Sequence, residues 1–392
     1  MSSAGPSSVR VTLSPLLERH RVILCVGSGG VGKTTVTAAL GLAAATRGKR
    51  VLCLTIDPAR RLANSLGLDR MTHEAREVDL GAFRRPDRPT TGSLSVMMLD
   101  TKRTFDELVT RHASSDRARD RILNNRLYQY VSTSLAGTQE YMAMEKLLAV
   151  RRDTDFDLIV LDTPPTSNAL DFLDAPERMI GALDSAAMRW LIQAFESSGR
   201  FSLNLVAKSV AVVLRGIGKL TGGGFLEQMS EFVADLNDLF GGFRQRAEEV
   251  SAAFRGDEFA YVIVTTPAPA ALREAVFFAE RLEEQGMSHD GFVVNRVHRA
   301  PRTVPTPDEI EAALGAQDLG LGPSGPARLS RCLSDEVELA RLDHEHLRVL
   351  EPMLGSEHVG LRVDIPALPG DVHDLGTLAG IAELLCPERR PS

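Results

Sequence analysis

Residues 25–35, CVGSGGVGKTT, constrain the fold more than any other part of this 392-residue chain. An apolar run, RVILCVG (21–27), enters a glycine-rich turn, and an Ala-rich segment, KTTVTAALGLAAATRG (33–48), leaves it. Gly27, Gly32, Lys33 and Thr34 fit the spacing G-x-x-x-x-G-K-[ST]. Glycines let the backbone turn tightly and bring N–H groups close to an anion, and the following helix points its positive end at the same place. In such a loop Lys33 reaches the β- and γ-phosphates of a nucleotide, and the Thr34 hydroxyl ligates Mg²⁺. The expected nucleotide contacts are Gly27, Gly29, Gly30, Val31, Gly32, Lys33, Thr34 and Thr35. The motif requires a strand before it and a helix after it, and the hydrophobic pattern supplies both.

A second apolar run, RVLCLTID (50–57), closes a β–α–β unit with a short connection, which predicts parallel strands. Further strands are expected at 93–100, 156–162, 259–266, 291–297 and near 359–365, with helices over 102–150 and 375–385. The fold class is therefore α/β, a doubly wound, mostly parallel sheet of the P-loop NTPase kind with an inserted helical subdomain. Residues 176–256 carry no strand pattern and form the insert. A tail at 1–18 and core segments at 19–175 and 257–390 complete the division. Residues 300–330, rich in Pro, Gly, Ser and Asp, read as a mobile connector.

Bulk properties narrow the function. The net charge of −7 leaves no broad basic field for nucleic acid. Four cysteines, Cys25, Cys53, Cys332 and Cys386, contain no C-x-x-C pair and suit a reducing compartment. The polar opening MSSAGPSSVR lacks a signal-peptide core, and no run of eighteen apolar residues occurs, so a cytoplasmic location is expected.

Four other positions carry chemistry. Asp162 closes the apolar strand LIVLD and suits Mg²⁺, directly or through water; it also suits a helix cap. Asp57, before Pro58, has the form of an ordinary helix start, yet a carboxylate at a parallel strand end can orient an attacking water. The stiff segment DTPPTSNALDFL (162–173) fits either a γ-phosphate sensor or a rigid loop. Asn295, ending GFVVN, offers one acceptor and two donors to the N6 amine and N7 of adenine.

Taken together these segments resemble the ArsA/Get3 ATPases, relatives of MinD among deviant-Walker-A P-loop proteins, and in particular a single-repeat, actinobacterial-type subgroup. GSGGVGKTT looks like the family's phosphate loop. TIDPARRLANSL (55–66) is similar to its switch I, which places Asp57 as the water-activating aspartate. LIVLDTPPTSNALDFL is similar to Walker B and switch II, and SLAGTQEYMAMEKL (134–147) to a family helix. FVVNRV carries the adenine-reading Asn295, and DIPALPG (364–370), with Pro366, looks like the loop covering the base. The resemblance implies a dimeric ATPase using ATP and Mg²⁺, with Asp57 and Lys33 catalytic and Thr34, Asp162 and Asp57 around the metal. It implies a homodimer, or a heterodimer with a paralogue, and a membrane protein or hydrophobic client engaged through residues 176–255.

The chain departs from that pattern. Ser28 stands where the family's signature lysine reaches a partner's nucleotide, and serine cannot supply that charge. Arg60 and Arg61 are candidates to replace it. No cysteines match a metalloid site, and no C-x-x-C matches a zinc clasp. Ser167 and Asn168 replace a frequent Gly-His. The alternative function is an ATP-binding scaffold or heterodimer subunit with little turnover.

Overall fold

The computed structural model describes residues 12–56, 61–66, 68, 71–81, 92–125, 128–129, 132, 138–163, 174–183, 244–316, 320–354, 361–372 and 374–387. Asp57, Arg60, the loop 164–173 and the middle of the insert, 184–243, lie outside these residues. The chain divides into two compact units, one of residues 1–98, 156–169 and 257–392, the other of 99–155 and 170–256.

The first unit is built on an eight-stranded sheet. Its strands are β1 Val22–Val26, β2 Arg50–Thr55, β3 Arg76–Glu77, β4 Ser93–Met98, β5 Leu158–Asp162, β6 Phe259–Thr265, β7 Gly291–Val297 and β8 Leu361–Pro366. The order across the sheet is β3-β4-β2-β5-β1-β6-β7-β8. Every pairing is parallel except that of the short edge strand β3 with β4. β1, β5 and β6 are buried along their full length, which is why they read as unbroken apolar runs rather than as alternating ones. The α/β class and the mostly parallel sheet are as expected from the sequence.

β1 lies between β5 and β6, so the chain winds outward on both sides of it. In open α/β sheets that reversal leaves a crevice at the carboxyl ends of the strands. The loop after Val26 opens there and leads into α2, Lys33–Ala45. Nearly the whole surface of α2 is buried, which its Ala-rich composition permits. It packs between β2 and a helix near the C-terminus, Leu375–Leu385. Residues at the end of the expected tail join this core. α1, Ser14–Arg19, buries Leu16 and Leu17, and the Leu13 N–H donates to the Leu385 carbonyl at 2.9 Å.

The expected connector at 300–330 contains helix instead. Pro307–Gly315 is helical, and a 23-residue helix, Gly325–Leu347, starts within the same stretch. The first begins with a capping box: Thr306 accepts from the Glu309 N–H, and Glu309 reaches back to the Thr306 N–H at 2.8 Å. Pro307 at the first helical position fits this start, so the polar, Pro-bearing composition that suggested a loop is that of a helix N-terminus.

The described part of the second unit is helical: Thr101–His112, Asp116–Asn124, Thr138–Asp153, Ala175–Leu183 and residues 244–254. Asp100 and Ser115 cap the first two with side-chain acceptors. The helices of 101–153 thus group with the residues after 170. A buried ion pair ties them together. Glu145, 2% exposed, accepts from the Arg246 guanidinium, with the Nε contact at 3.0 Å.

Candidate nucleotide site

Gly27, Gly30 and Gly32 give the turn after β1 its shape, with φ of +143°, +78° and +105°. Two of these glycines are also sterically required. A Cβ on Gly27 would lie 2.1 Å from the Val264 carbonyl oxygen on β6, and a Cβ on Gly32 would lie 2.3 Å from Asn295 Nδ2. The turn is therefore pressed against two neighbouring strands. No side chain caps α2, and Gly32 occupies its N-cap. The N–H groups of the first helical turn and the positive end of the helix therefore face the loop, as anion binding requires.

Lys33 is buried and its Nζ donates to the Gly27 and Ser28 carbonyls, each at 2.9 Å. The ammonium is held over the loop by the loop itself. Thr34 Oγ1 donates to Asp162 Oδ2 at 2.8 Å, and Thr55 Oγ1 donates to the same oxygen at 3.1 Å. Asp162, 1% exposed, ends β5 beside β1 and opposite Thr55 on β2. The carboxylate thus accepts from one hydroxyl on α2 and one at the end of β2. A neighbouring effect is visible at Cys25. Burial pushes its thiol up to about 12, with the Asp162 charge adding to the rise and Lys33 opposing it.

A hydroxyl and a carboxylate oxygen side by side form the hard donor set that suits Mg²⁺, which needs few protein ligands when phosphates and water supply the rest. Among the described residues no group of three or more His, Cys, Asp or Glu could hold a metal. The residues at Thr34 and Asp162 therefore fit a magnesium ion shared with a phosphate better than a closed protein cage.

A cavity of about 530 Å³ extends from the loop. Its lining includes Gly32 and Thr35 of the loop and α2, Asn295, Arg296 and His298, and Pro366 with the residues after it. The structure thus brings Asn295 and Pro366 to the same cavity as the loop. Asn295 Nδ2 donates to the Val31 carbonyl at 2.9 Å, and its Oδ1 accepts from the Arg296 N–H at 3.0 Å. One N–H and one lone pair of the carboxamide are left for other partners.

Gly29 is exposed at the tip of the turn, Val31 is buried beneath it, and Ser28 donates its hydroxyl to Glu274 on the helix Pro269–Glu284. Asp57 lies outside the described residues. Sequence reading missed His298, Glu274 and Thr55. Glu274 and His298 are single polar residues without motif spacing, and only the fold brings them to the site.

A glycine-rich turn between a buried parallel strand and a helix, with a lysine folded over it and an aspartate at the adjoining strand end, defines a P-loop nucleotide-binding fold. The family model for anion-transporting ATPases matches residues 20–306, and the chain belongs to that family. The chain is 27% identical to the ATPase GET3 of Ajellomyces dermatitidis over 300 residues, covering 75% of this chain and 78% of that one. It is 27% identical to the ATPase GET3 of Paracoccidioides lutzii over 305 residues, 76% and 80% of the two chains. The same identity holds to the ATPase get3 of Aspergillus terreus over 282 residues, 71% and 73%. Among the described residues no helix is long and apolar enough to cross a membrane.

Proposed function

We propose that this chain is an ATPase that binds ATP with Mg²⁺ on the loop Gly27–Thr35 and hydrolyses the γ-phosphate. The observation that carries this reading is the contact of Thr34 Oγ1 with Asp162 Oδ2 at 2.8 Å, next to a lysine held over the loop. Gly27, Gly29, Gly30, Val31, Gly32 and Thr35 present backbone to the phosphates. Thr34 and Asp162, with Asp57, hold Mg²⁺, which when bound neutralises charge on the phosphate oxygens. Lys33 stabilises the charge that develops on the transferred group. Asp57 orients the attacking water. Asn295 and Pro366 bound the base.

In this reading the protein works in the cytoplasm as a nucleotide-driven dimer, a homodimer or a pair with a paralogue. Its helical segment 176–255 couples the nucleotide state to a membrane transporter or hydrophobic client. Phosphate release measured with ATP and Mg²⁺ tests the catalytic part. Asp57→Asn should lower turnover at least about a hundredfold, within the range for loss of a positioned base. Equal turnover in both proteins would refute the assignment.

The contact between Ser28 and Glu274 favours a second reading. The position that carries a signature lysine in the family holds a neutral side chain already engaged by a carboxylate. An ATP-binding scaffold or heterodimer subunit with little turnover of its own fits that arrangement. It predicts ATP binding without Asp57-dependent phosphate release, whether the chain is alone or mixed with a paralogue.

A further inference from the structure

Asn295 and His298 are three residues apart on β7 and its extension, a spacing that puts side chains on opposite faces of a regular strand. Both nevertheless line the same cavity. The cause is local. Arg296 has φ of +61°, the single non-glycine residue with positive φ among those described. The register between β7 and β8 also shifts between Val294 and Val297. A bulge of this kind re-aims a side chain, and a non-glycine residue in the left-handed region persists where the surroundings hold it there. Here the Arg296 N–H is held by Asn295 Oδ1 at 3.0 Å, and the Val297 carbonyl beyond the bulge accepts from the Ala367 N–H at 3.0 Å.

The turned strand delivers His298 to a second anchor. Asp343, buried on the helix Gly325–Leu347, accepts from the His298 N–H at 2.8 Å with Oδ2. The same oxygen lies 2.9 Å from His298 Nδ1. A carboxylate oxygen only accepts, so Nδ1 carries a ring proton, and in the neutral ring Nε2 is the acceptor. Backbone and ring of His298, a lining residue of the cavity, are thus fixed by one carboxylate.

We infer that His298 is a specificity-determining contact for the base of the bound nucleotide, and that Asp343 is its positioning residue. This rests on the nucleotide reading above. A nucleotide anchored by its phosphates at Gly32 and Thr35 extends its base into the cavity that Asn295 and His298 also line. Asn295 keeps one N–H and one lone pair after bonding Val31 and Arg296, and His298 on the same cavity adds a second polar contact for the base. In the neutral ring Nε2 accepts from the 6-amino group of adenine and opposes the 6-oxo group of guanine.

The test is calorimetric binding of ADP and of GDP to the full chain, with thermal unfolding as a check on folding. His298→Leu should weaken ADP about threefold to tenfold, the worth of one neutral hydrogen bond, and leave GDP unchanged or tighter. Asp343→Ala should reproduce that selective loss. His298→Gln, which keeps an acceptor, should recover part of it and keeps the test open if Asp343→Ala does not fold. Equal loss of ADP and GDP, or no change in either, overturns the inference. A wild-type chain that binds neither nucleotide overturns the nucleotide reading itself.

Discussion

The close approach of Gly32 to Asn295 can be tested with a double-mutant cycle. Gly32 has φ of +105°, so Gly32→Ala strains the backbone by about 1–2 kcal/mol wherever its Cβ points. That Cβ would also lie 2.3 Å from Asn295 Nδ2, where ordinary contact begins at 3.4 Å. The carboxamide must retreat by about 1 Å and give up its 2.9 Å bond to the Val31 carbonyl, which adds about 1–2 kcal/mol. Asn295→Ala alone loses the same bond, again about 1–2 kcal/mol. In the double variant the overlap is gone and the bond cannot be lost twice. The double variant should therefore be more stable than the sum of the single variants implies, by about 1–2 kcal/mol. Urea unfolding followed by far-UV circular dichroism reads this. With a slope of about 3 kcal/mol/M, a coupling near 1.5 kcal/mol moves the midpoint by about 0.5 M. Single costs that add to within about 0.5 kcal/mol would refute the claim that the loop is seated against Asn295.

Glu145→Ala, which leaves the Arg246 guanidinium only its 3.1 Å pair with the half-exposed Glu249, should destabilise the helical unit by about 1–3 kcal/mol, whereas Glu145→Gln should cost less because the amide oxygen still accepts; equal costs in chemical unfolding would contradict the ion-pair account. Of the four cysteines, Cys332 is exposed and should react with a thiol reagent in the native protein, while Cys25, Cys53 and Cys386 should label only on unfolding; more than one fast thiol would refute this burial pattern. Burial also pushes Cys25 up to about 12 and Cys386 up to about 11. Their contribution to stability is thus complete below the unfolded thiol value near 9 and is lost as pH rises through 11–12, so the unfolding midpoint should fall on the alkaline side. Replacing Cys25 and Cys386 by Ala should flatten that fall, and an unchanged alkaline slope would refute the linkage.

The sheet was legible in the sequence because each central strand is buried on both faces, so LIVLD and FAYVIVT are unbroken apolar runs. The phosphate loop was legible because backbone chemistry forces its glycines into fixed spacing. The helices after Thr306 were read as a connector because Pro and Asp serve loops and helix N-termini alike, and only the cap geometry separates the two. His298 and Glu274 gave no signal. Their roles come from Asp343 and Ser28, which are 45 and 246 residues away in the chain. A bulge at Arg296 also breaks the period-two rule that would have assigned His298 to the other face of the strand.

The central claim is that the turn between β1 and α2 holds a triphosphate with its magnesium, so the most direct measurement is calorimetry of ATP binding with and without Mg²⁺, on the wild-type chain and on Lys33→Ala. The account predicts saturable binding by the wild type that tightens with Mg²⁺ and is lost or weakened at least about tenfold in Lys33→Ala, the effect of losing a charge-assisted contact of about 1.5–3 kcal/mol. Wild-type protein that takes up no ATP, or a Lys33→Ala variant that binds it equally well, would contradict the account.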